Sequence, residues 1–286
     1  GFVYGEFDSK KLFSMPKNPS FIKMLLKMFG NNSATVLDFF AGSATTADAV
    51  MQLNAEDGGN RRYIMVQLDQ PTFTTNSDGT EIPAKGAEAA YKAGYRYIDQ
   101  ISRERIKRAS AKILERNPSF PNFDGGFKHY QVVKPDQKLL EDLDTYDIET
   151  GTFMDGSGQI NLIGEDYFDD MLTPFSADYL GVEGGALAYE TILTTWKLSD
   201  GYAVDKKEKH LDFAGYPAIQ LDNRLYLIEQ GWTEEQTKVL VNLLGRRELE
   251  VQTIILYGYS FEMTALRELE LALSSLDKVV KLIKNY

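Results

Sequence analysis

The chain has 286 residues, 43% hydrophobic and 26% charged, enough for one large domain or two ordinary ones with a core in each. Cysteine is absent and histidine occurs only at His129 and His210, which excludes disulfides, thiol nucleophiles and cysteine-based zinc sites and nearly excludes a histidine-based catalytic dyad. The net charge of −11 is uneven: residues 1–127 carry 16 Lys+Arg against 14 Asp+Glu, residues 128–286 carry 15 against 28, so any phosphate contact belongs to the first half.

In chain order, residues 1–30 read as an extended lead and then an amphipathic helix, SFIKMLLKMFG, with Phe21, Leu25 and Met28 at helical spacing and Gly30 as its stop. ATVLDFF is a buried strand, TTADAVMQLNAE a helix that starts directly after a Gly-containing turn, and YIMVQLD a second apolar strand. Strand–helix–strand in so short a stretch is the pattern of a parallel sheet. A long polar loop, PTFTTNSDGTEIPAKG, leads to a helix from about Ala87 to Glu115, with a break expected near Gly94. Its second half carries Arg103, Arg105, Lys107, Arg108 and Lys112. Two readings stand: a solvated face opposite Ile98, Ile101, Ile106 and Ile113, or an edge that contacts nucleic-acid phosphate.

RNPSFPNFDGGF, Arg116 to Phe127, has the prolines and the Gly pair of a boundary, which divides the chain into residues 1–127 and 128–286. Beyond it, KHYQVVKPD is strand-like, and TGTFMDGSGQINLIG is a hairpin about Asp155-Gly156-Ser157-Gly158, a tetrapeptide without the spaced ligands of a calcium loop. GGALAYETILTTWKLSDGY is a helix; AIQLDNRLYLIEQG a hairpin bending at Asp222-Asn223; TEEQTKVLVNLLGRRE a helix with Thr233 and Gln236 in capping-box spacing. VQTIILYGYSF is a buried strand, and TALRELELALSSLDKVVKLIKNY is expected to be a terminal helix. Trp196 and Trp232 read as core anchors. No apolar run is long enough to span a membrane and no basic-then-apolar signal opens the chain, so the expectation is a cytoplasmic protein.

The turn AGSATT carries the chemistry. A buried strand delivers the chain to its carboxyl edge, where open α/β sheets place ligands. Gly42 permits close backbone approach or an angle closed to other residues, and the next helix offers unpaired N–H groups beside the Thr45 and Thr46 hydroxyls. Asp38 ends the first strand, placed to receive a cation or a hydroxyl; Gln67 and Asp69 end the second, where ribose hydroxyls of an adenosine cofactor would arrive. Neither GxxxxGK[ST] nor GxGxxG is present, and the acidic Asp38 disfavours a phosphate while suiting the amino-acid end of S-adenosylmethionine.

DFFAGSATTADAVMQLN followed by EDGGNRRYIMVQLD resembles the S-adenosylmethionine motif of DNA amino-methyltransferases, type III restriction-modification methylases above all. In that family the motif reads DFFAGSGTTAHAVMQLN, so Ala44 stands for a usual glycine and Asp48 for a usual histidine. The resemblance implies that Asp38, Phe39, Phe40, Ala41, Gly42, Ser43, Thr45 and Thr46 line the cofactor, with Gln67 and Asp69. The lead SMPKNPSFIKMLL is similar to the family's upstream motif, normally PKPxxLLxxLL, which implies that Pro16, Lys17 and Asn18 lie along the methionine moiety. AYKAGYRYIDQISRERIKRA resembles the stretch after the second strand, and TILTTWKLSDGY, LYLIEQG and ILYGYSF resemble the family's tail more weakly.

That family grips its target base with a [DNS]PP[YFW] tetrapeptide, and the nine prolines here include no adjacent pair. No catalytic residue is therefore assigned, and no metal is expected, since methyl transfer from a sulfonium needs none. The resemblance implies the C-terminal part of an adenine-N6 DNA methyltransferase of a type III system, inactive by itself. A cytosine-N4 or RNA methylase stays open, because the cofactor motif does not report the base. The expected architecture is a partial Rossmann-like sheet in residues 1–127 and a smaller α+β domain in 128–286. Implied partners are double-stranded DNA, reached through a preceding N-terminal part, the restriction subunit, and a second copy in a homodimer. The acidic second region is read as an assembly module.

Overall fold

A computed structural model of the chain describes residues 12–13, 16–116, 123–134, 146–147, 152–154, 160–162, 172–277 and 279–286. The chain divides into two compact units, Gly1–His129 and Tyr130–Tyr286.

The first unit is a mixed α/β arrangement. Helix α1 (Pro19–Phe29) starts behind Asn18, whose side chain accepts from the Ser20 N–H at 2.9 Å, with Pro19 at the first position where its missing N–H costs nothing. Strand β1 (Thr35–Asp38), helix α2 (Thr45–Asp57) and strand β2 (Arg62–Met65) follow, and β1 and β2 pair in parallel with Asp38 opposite Met65. The expected strand–helix–strand unit is thus formed, as a two-stranded sheet.

One face of this pair is covered. Tyr63 and Met65 pack on a core of Ala44, Ala47 and Met51 from α2 and Ile106, Ala109 and Ile113 from α4 (Ile98–Arg116). Leu37, Ile64 and Val66 stay largely exposed within the unit, the alternation of a sheet with one face unburied.

The stretch from Pro71 to Gly86, expected as a polar loop, contains a hairpin: β3 (Phe73–Thr75) and β4 (Glu81–Pro83), antiparallel about a Gly79 turn at φ +84°. Its strands are only three residues long, too short for a periodicity signal. The Arg96 guanidinium lies 3.9 Å over the Phe73 ring and pairs with Glu81, which fastens the hairpin to the chain after the break at Gly94, φ +90°. The break expected near Gly94 is there and divides the helical stretch into α3 (Glu88–Lys92) and α4.

The segment 128–134, expected as a strand, has no regular structure, and Val132 is 99% exposed; an apolar pair without a partner strand has nothing to bury against.

In the second unit, β5 (Tyr146–Asp147), β6 (Thr152–Met154) and β7 (Ile160–Leu162) form an antiparallel meander. The expected hairpin is there, while its bend at 155–158 lies outside the described residues. Helix α5 (Ala188–Ser199) follows a 3-10 turn at Thr173–Phe175.

The centre is a five-stranded sheet in the order β12-β11-β10-β9-β8, made of β8 (Lys209–Phe213), β9 (Tyr216–Leu221), β10 (Arg224–Leu227), β11 (Thr253–Tyr257) and β12 (Lys281–Asn285). Strands β8, β9 and β10 are antiparallel, with Asp222 at φ +49° in the two-residue bend between β9 and β10. Strands β10, β11 and β12 are parallel, joined through α6 (Glu234–Gly245) and α7 (Met263–Ser274).

Leu225, Leu227, Ile254 and Leu256 pack against α6 and α7, and Tyr226, Ile255 and Tyr257 pack with Ile192 and Leu193 of α5. A sheet buried on both faces explains the unbroken apolar runs LYLI and TIILY. This unit is the longer of the two, not the smaller, and combines a mixed sheet with helices packed on both of its faces.

The terminal helix is also corrected. It stops at Ser274, and residues 281–285 are the edge strand, with Leu282 packed toward one core and Ile283 toward the other. A short run such as VVKLIK suits either helix or strand locally, and pairing with Thr253–Tyr257 decides it.

Candidate cofactor site

The turn after β1 is stitched on both sides. The Ala41 N–H donates to the Val66 carbonyl at 3.0 Å and the Val66 N–H to the Asp38 carbonyl at 2.8 Å, which extends the ladder of β1 and β2 past their last residues. The Gly42 N–H donates to Gln67 Oε1 at 2.8 Å, and Gln67 Nε2 donates to the Leu68 carbonyl at 3.1 Å. Gln67 therefore spends its amide oxygen on the turn and its amide nitrogen on the next carbonyl of its own segment.

Asp38 is held in one orientation. Its Oδ1 accepts from the Phe40 N–H at 3.0 Å and its Oδ2 from the Thr46 hydroxyl at 2.6 Å. A carboxylate fixed by two donors keeps lone pairs for a further donor. Beside it Phe39 and Phe40 are 65% and 84% exposed, two aromatic side chains just past the carboxyl end of the strand. Asp69 is exposed, as is Lys17, and Pro16 is half-buried. Asn18 serves as the cap of α1.

Two residues of the turn have left-handed backbone. Gly42 lies at φ +52°, and a Cβ there would meet the Phe13 ring at 3.3 Å. Ala44, the N-cap of α2, lies at φ +56° and ψ +36° and is fully buried. This is the position where the resembled family carries glycine, the residue that takes such an angle without Cβ strain.

Ser43 and Thr45 point away from the exposed side. Both are buried, and their hydroxyls accept from Arg105 Nη1 at 3.0 and 2.9 Å. The same nitrogen reaches the Ser43 carbonyl at 3.3 Å, while Nη2 reaches Asp48 Oδ2 at 2.9 Å. Gln52 Nε2 donates to the other Asp48 oxygen at 2.7 Å, and the Ser102 hydroxyl, one helical turn before Arg105, donates to the Gly42 carbonyl.

Arg105 is 0% exposed. It is the correction among the basic residues of α4, because a guanidinium enclosed in this way cannot meet a phosphate. Its neighbours Arg103 and Arg108 make i,i+4 ion pairs with Asp99 and Glu104, and Lys107 is exposed. Helical spacing held the signal: Arg105 shares the face of Ile101 and Ala109, four residues on either side. Nothing local announced Asp48 or Ser102 as its companions.

His129 lies 3.7 Å from Asp99, and no group of three metal-ligating side chains occurs among the described residues. No described helix is long and apolar enough to cross a membrane.

Comparison with known proteins decides the family. Residues 3–91 match a DNA methylase family model, and residues 188–282 match a model described as the type III restriction-modification EcoP15I C-terminal domain. The chain is 49% identical over 276 residues to the Mod subunit of the type III restriction-modification enzyme StyLTI of Salmonella typhimurium, an alignment covering 96% of this chain and 40% of the relative. The chain belongs to the type III Mod family.

The Mod subunit of EcoP15I from Escherichia coli is 32% identical over 92% of this chain and 34% of its own length. The type II methyltransferase M.KpnI of Klebsiella pneumoniae is 34% identical over 43% of this chain. The chain thus spans about 40% or less of the length of the Mod subunits it matches. The turn at 38–46 lies inside the methylase match, and the five-stranded sheet of the second unit lies largely inside the C-terminal match.

Proposed function

We propose that the first unit of this Mod-family chain holds S-adenosylmethionine at the Asp38–Thr46 turn, as the cofactor part of a site-specific adenine-N6 DNA methyltransferase. The observation that carries this reading is Asp38, oriented by Phe40 N–H and Thr46 at the carboxyl end of a parallel strand, beside the exposed Phe39 and Phe40. An oriented carboxylate suits a ligand that brings cations or hydroxyls, and exposed rings suit its flat adenosine surface. Bound there, the sulfonium supplies an electrophilic methyl group. Asp38 orients the ligand, the aromatic pair covers part of it, and the N–H groups at the start of α2 face its polar end. Asp69, exposed beyond the second strand, is the residue that would receive ribose hydroxyls. Ser43 and Thr45 anchor the turn from behind, and Gln67 holds it through the Gly42 N–H. The two-stranded parallel sheet supports a Rossmann-like layer, its edges open to further strands and its exposed face to further helices.

The adjacent prolines of the base-gripping tetrapeptide are absent from these 286 residues, so this chain by itself is assigned no methyl transfer. The second unit serves assembly, through a homodimer and a restriction subunit, and the whole works in the cytoplasm on DNA.

Calorimetric titration of the complete natural protein with S-adenosylmethionine tests the reading. Binding is expected, weakened about 10-fold or more by Asp38→Ala. Binding of equal strength in Asp38→Ala would overturn it. Labelled methyl transfer to DNA by these 286 residues alone would overturn the assignment of inactivity.

A further inference from the structure

The Asp38–Thr46 turn adopts a shape that one of its residues, Ala44, disfavours. Gly42 and Ala44, two residues apart, both sit in the left-handed region, and the alanine does so with a buried Cβ. Such a conformation persists only where the surroundings over-determine it. Asp38 and Gln67 hold the front of the turn, and the back is held by one helix, α4.

We propose that Arg105 is a positioning residue for the cofactor turn, acting through Ser43 and Thr45, with Ser102 as its second point of attachment and Asp48 as its charge partner. This rests on the cofactor reading of the Asp38–Thr46 turn.

Four observations converge on it. Arg105 Nη1 reaches Ser43 O, Ser43 Oγ and Thr45 Oγ1, so one nitrogen spans Ala44 on both sides. Ser102 takes the carbonyl of Gly42, the other left-handed residue. Asp48 neutralises the buried guanidinium from α2 itself, so the pair joins the turn, the helix it starts and the helix behind them. Gln52 occupies the remaining Asp48 oxygen, which fixes that carboxylate in turn.

The planar fork is what the arrangement needs. One guanidinium serves two directions at once, hydroxyls on one nitrogen and carboxylate on the other, whereas a lysine ammonium is a single point on a flexible stem. A receptor loop held in its bound shape before the ligand arrives loses less ordering freedom on binding. Arg105 therefore bears on affinity for the methyl donor without touching it.

The test uses the complete natural protein with S-adenosylmethionine and substrate DNA. Affinity is read by titration, KM and kcat by methyl transfer, and stability by thermal unfolding. Arg105→Lys is expected to raise the cofactor Kd and KM about 10-fold or more while kcat changes less than about 3-fold. Ser102→Ala is expected to raise KM about 3-fold. The double variant Asp48→Leu/Arg105→Met removes both buried charges at similar volume, so it folds and still shows the raised KM.

Variants that melt lower yet keep the wild-type KM would show an ion pair that serves stability alone, and would overturn the positioning role. A wild-type protein that binds no S-adenosylmethionine would overturn the cofactor reading itself and this inference with it. Wild-type binding beside unchanged variants would overturn this inference only.

Discussion

The Arg105 guanidinium and the Asp48 carboxylate meet at 2.9 Å with both side chains sealed from water, 57 residues apart in sequence. Removing one partner strands the other charge in the core. Asp48→Ala is expected to cost about 3–5 kcal/mol, while Asp48→Leu/Arg105→Met costs less than the sum of its two single changes, because the double change leaves no orphan charge. Denaturant titration of the four proteins in the cycle checks this. Additive costs would show that the two charges are not coupled.

Ala44 sets two effects of similar size against each other. Glycine relieves roughly 1 kcal/mol of left-handed strain and gives up roughly 0.8 kcal/mol of buried methyl. Ala44→Gly is therefore expected to leave stability within about 1 kcal/mol of the starting value. Ala44→Val adds a β-branch at an angle that rejects it and volume in a full core, and is expected to cost about 2–4 kcal/mol. Thermal melts of the two variants should separate widely; a valine variant as stable as the glycine one would refute the strain argument.

Asp57 links the first unit's stability to acid. The Arg61 side chain holds its carboxyl below the ordinary carboxylate range, and the Gly59 N–H adds to this. A carboxyl lowered in the folded state stabilises at pH above its unfolded value, near 4, and that contribution disappears as pH falls through the folded value. Glu56 behaves alike, lowered chiefly by its hydrogen bond from Lys23. Asp57→Asn should flatten the acid limb of the stability profile of the first unit below about pH 4 and lower stability at neutral pH. Melting curves across pH 3–7 read both effects; an unchanged acid limb would exclude Asp57 as a contributor.

In the second unit the Trp232 indole N–H donates to Thr237 Oγ1 at 2.8 Å, inside a ring cluster with Phe213, Tyr216 and Phe261. Thr237→Val keeps the shape and orphans a buried donor, for an expected loss of about 1–3 kcal/mol. Denaturant unfolding followed by tryptophan fluorescence measures it. Thr233, one residue beyond Trp232, caps α6 with Gln236 as its capping-box partner, and Thr233→Ala is expected to cost about 1 kcal/mol.

By itself the sequence determined what depends on neighbours along the chain. The helix after AGSATT, the strands either side of it, the Thr233–Gln236 cap and the bend at Asp222 all follow from turn chemistry and periodicity within a dozen residues. Asp38 at the strand end was legible on the same terms. The tertiary structure alone decided what rests on distant partners. Residues 281–285 became a strand because Thr253–Tyr257 offered a parallel edge. Arg105 turned from a surface cation into the backing of the turn because the 43–48 segment filled the space beside α4 with two hydroxyls and a carboxylate. Burying a guanidinium is costly until acceptors and an opposite charge meet it, and only the folded chain brings Ser43, Thr45 and Asp48 together beside it.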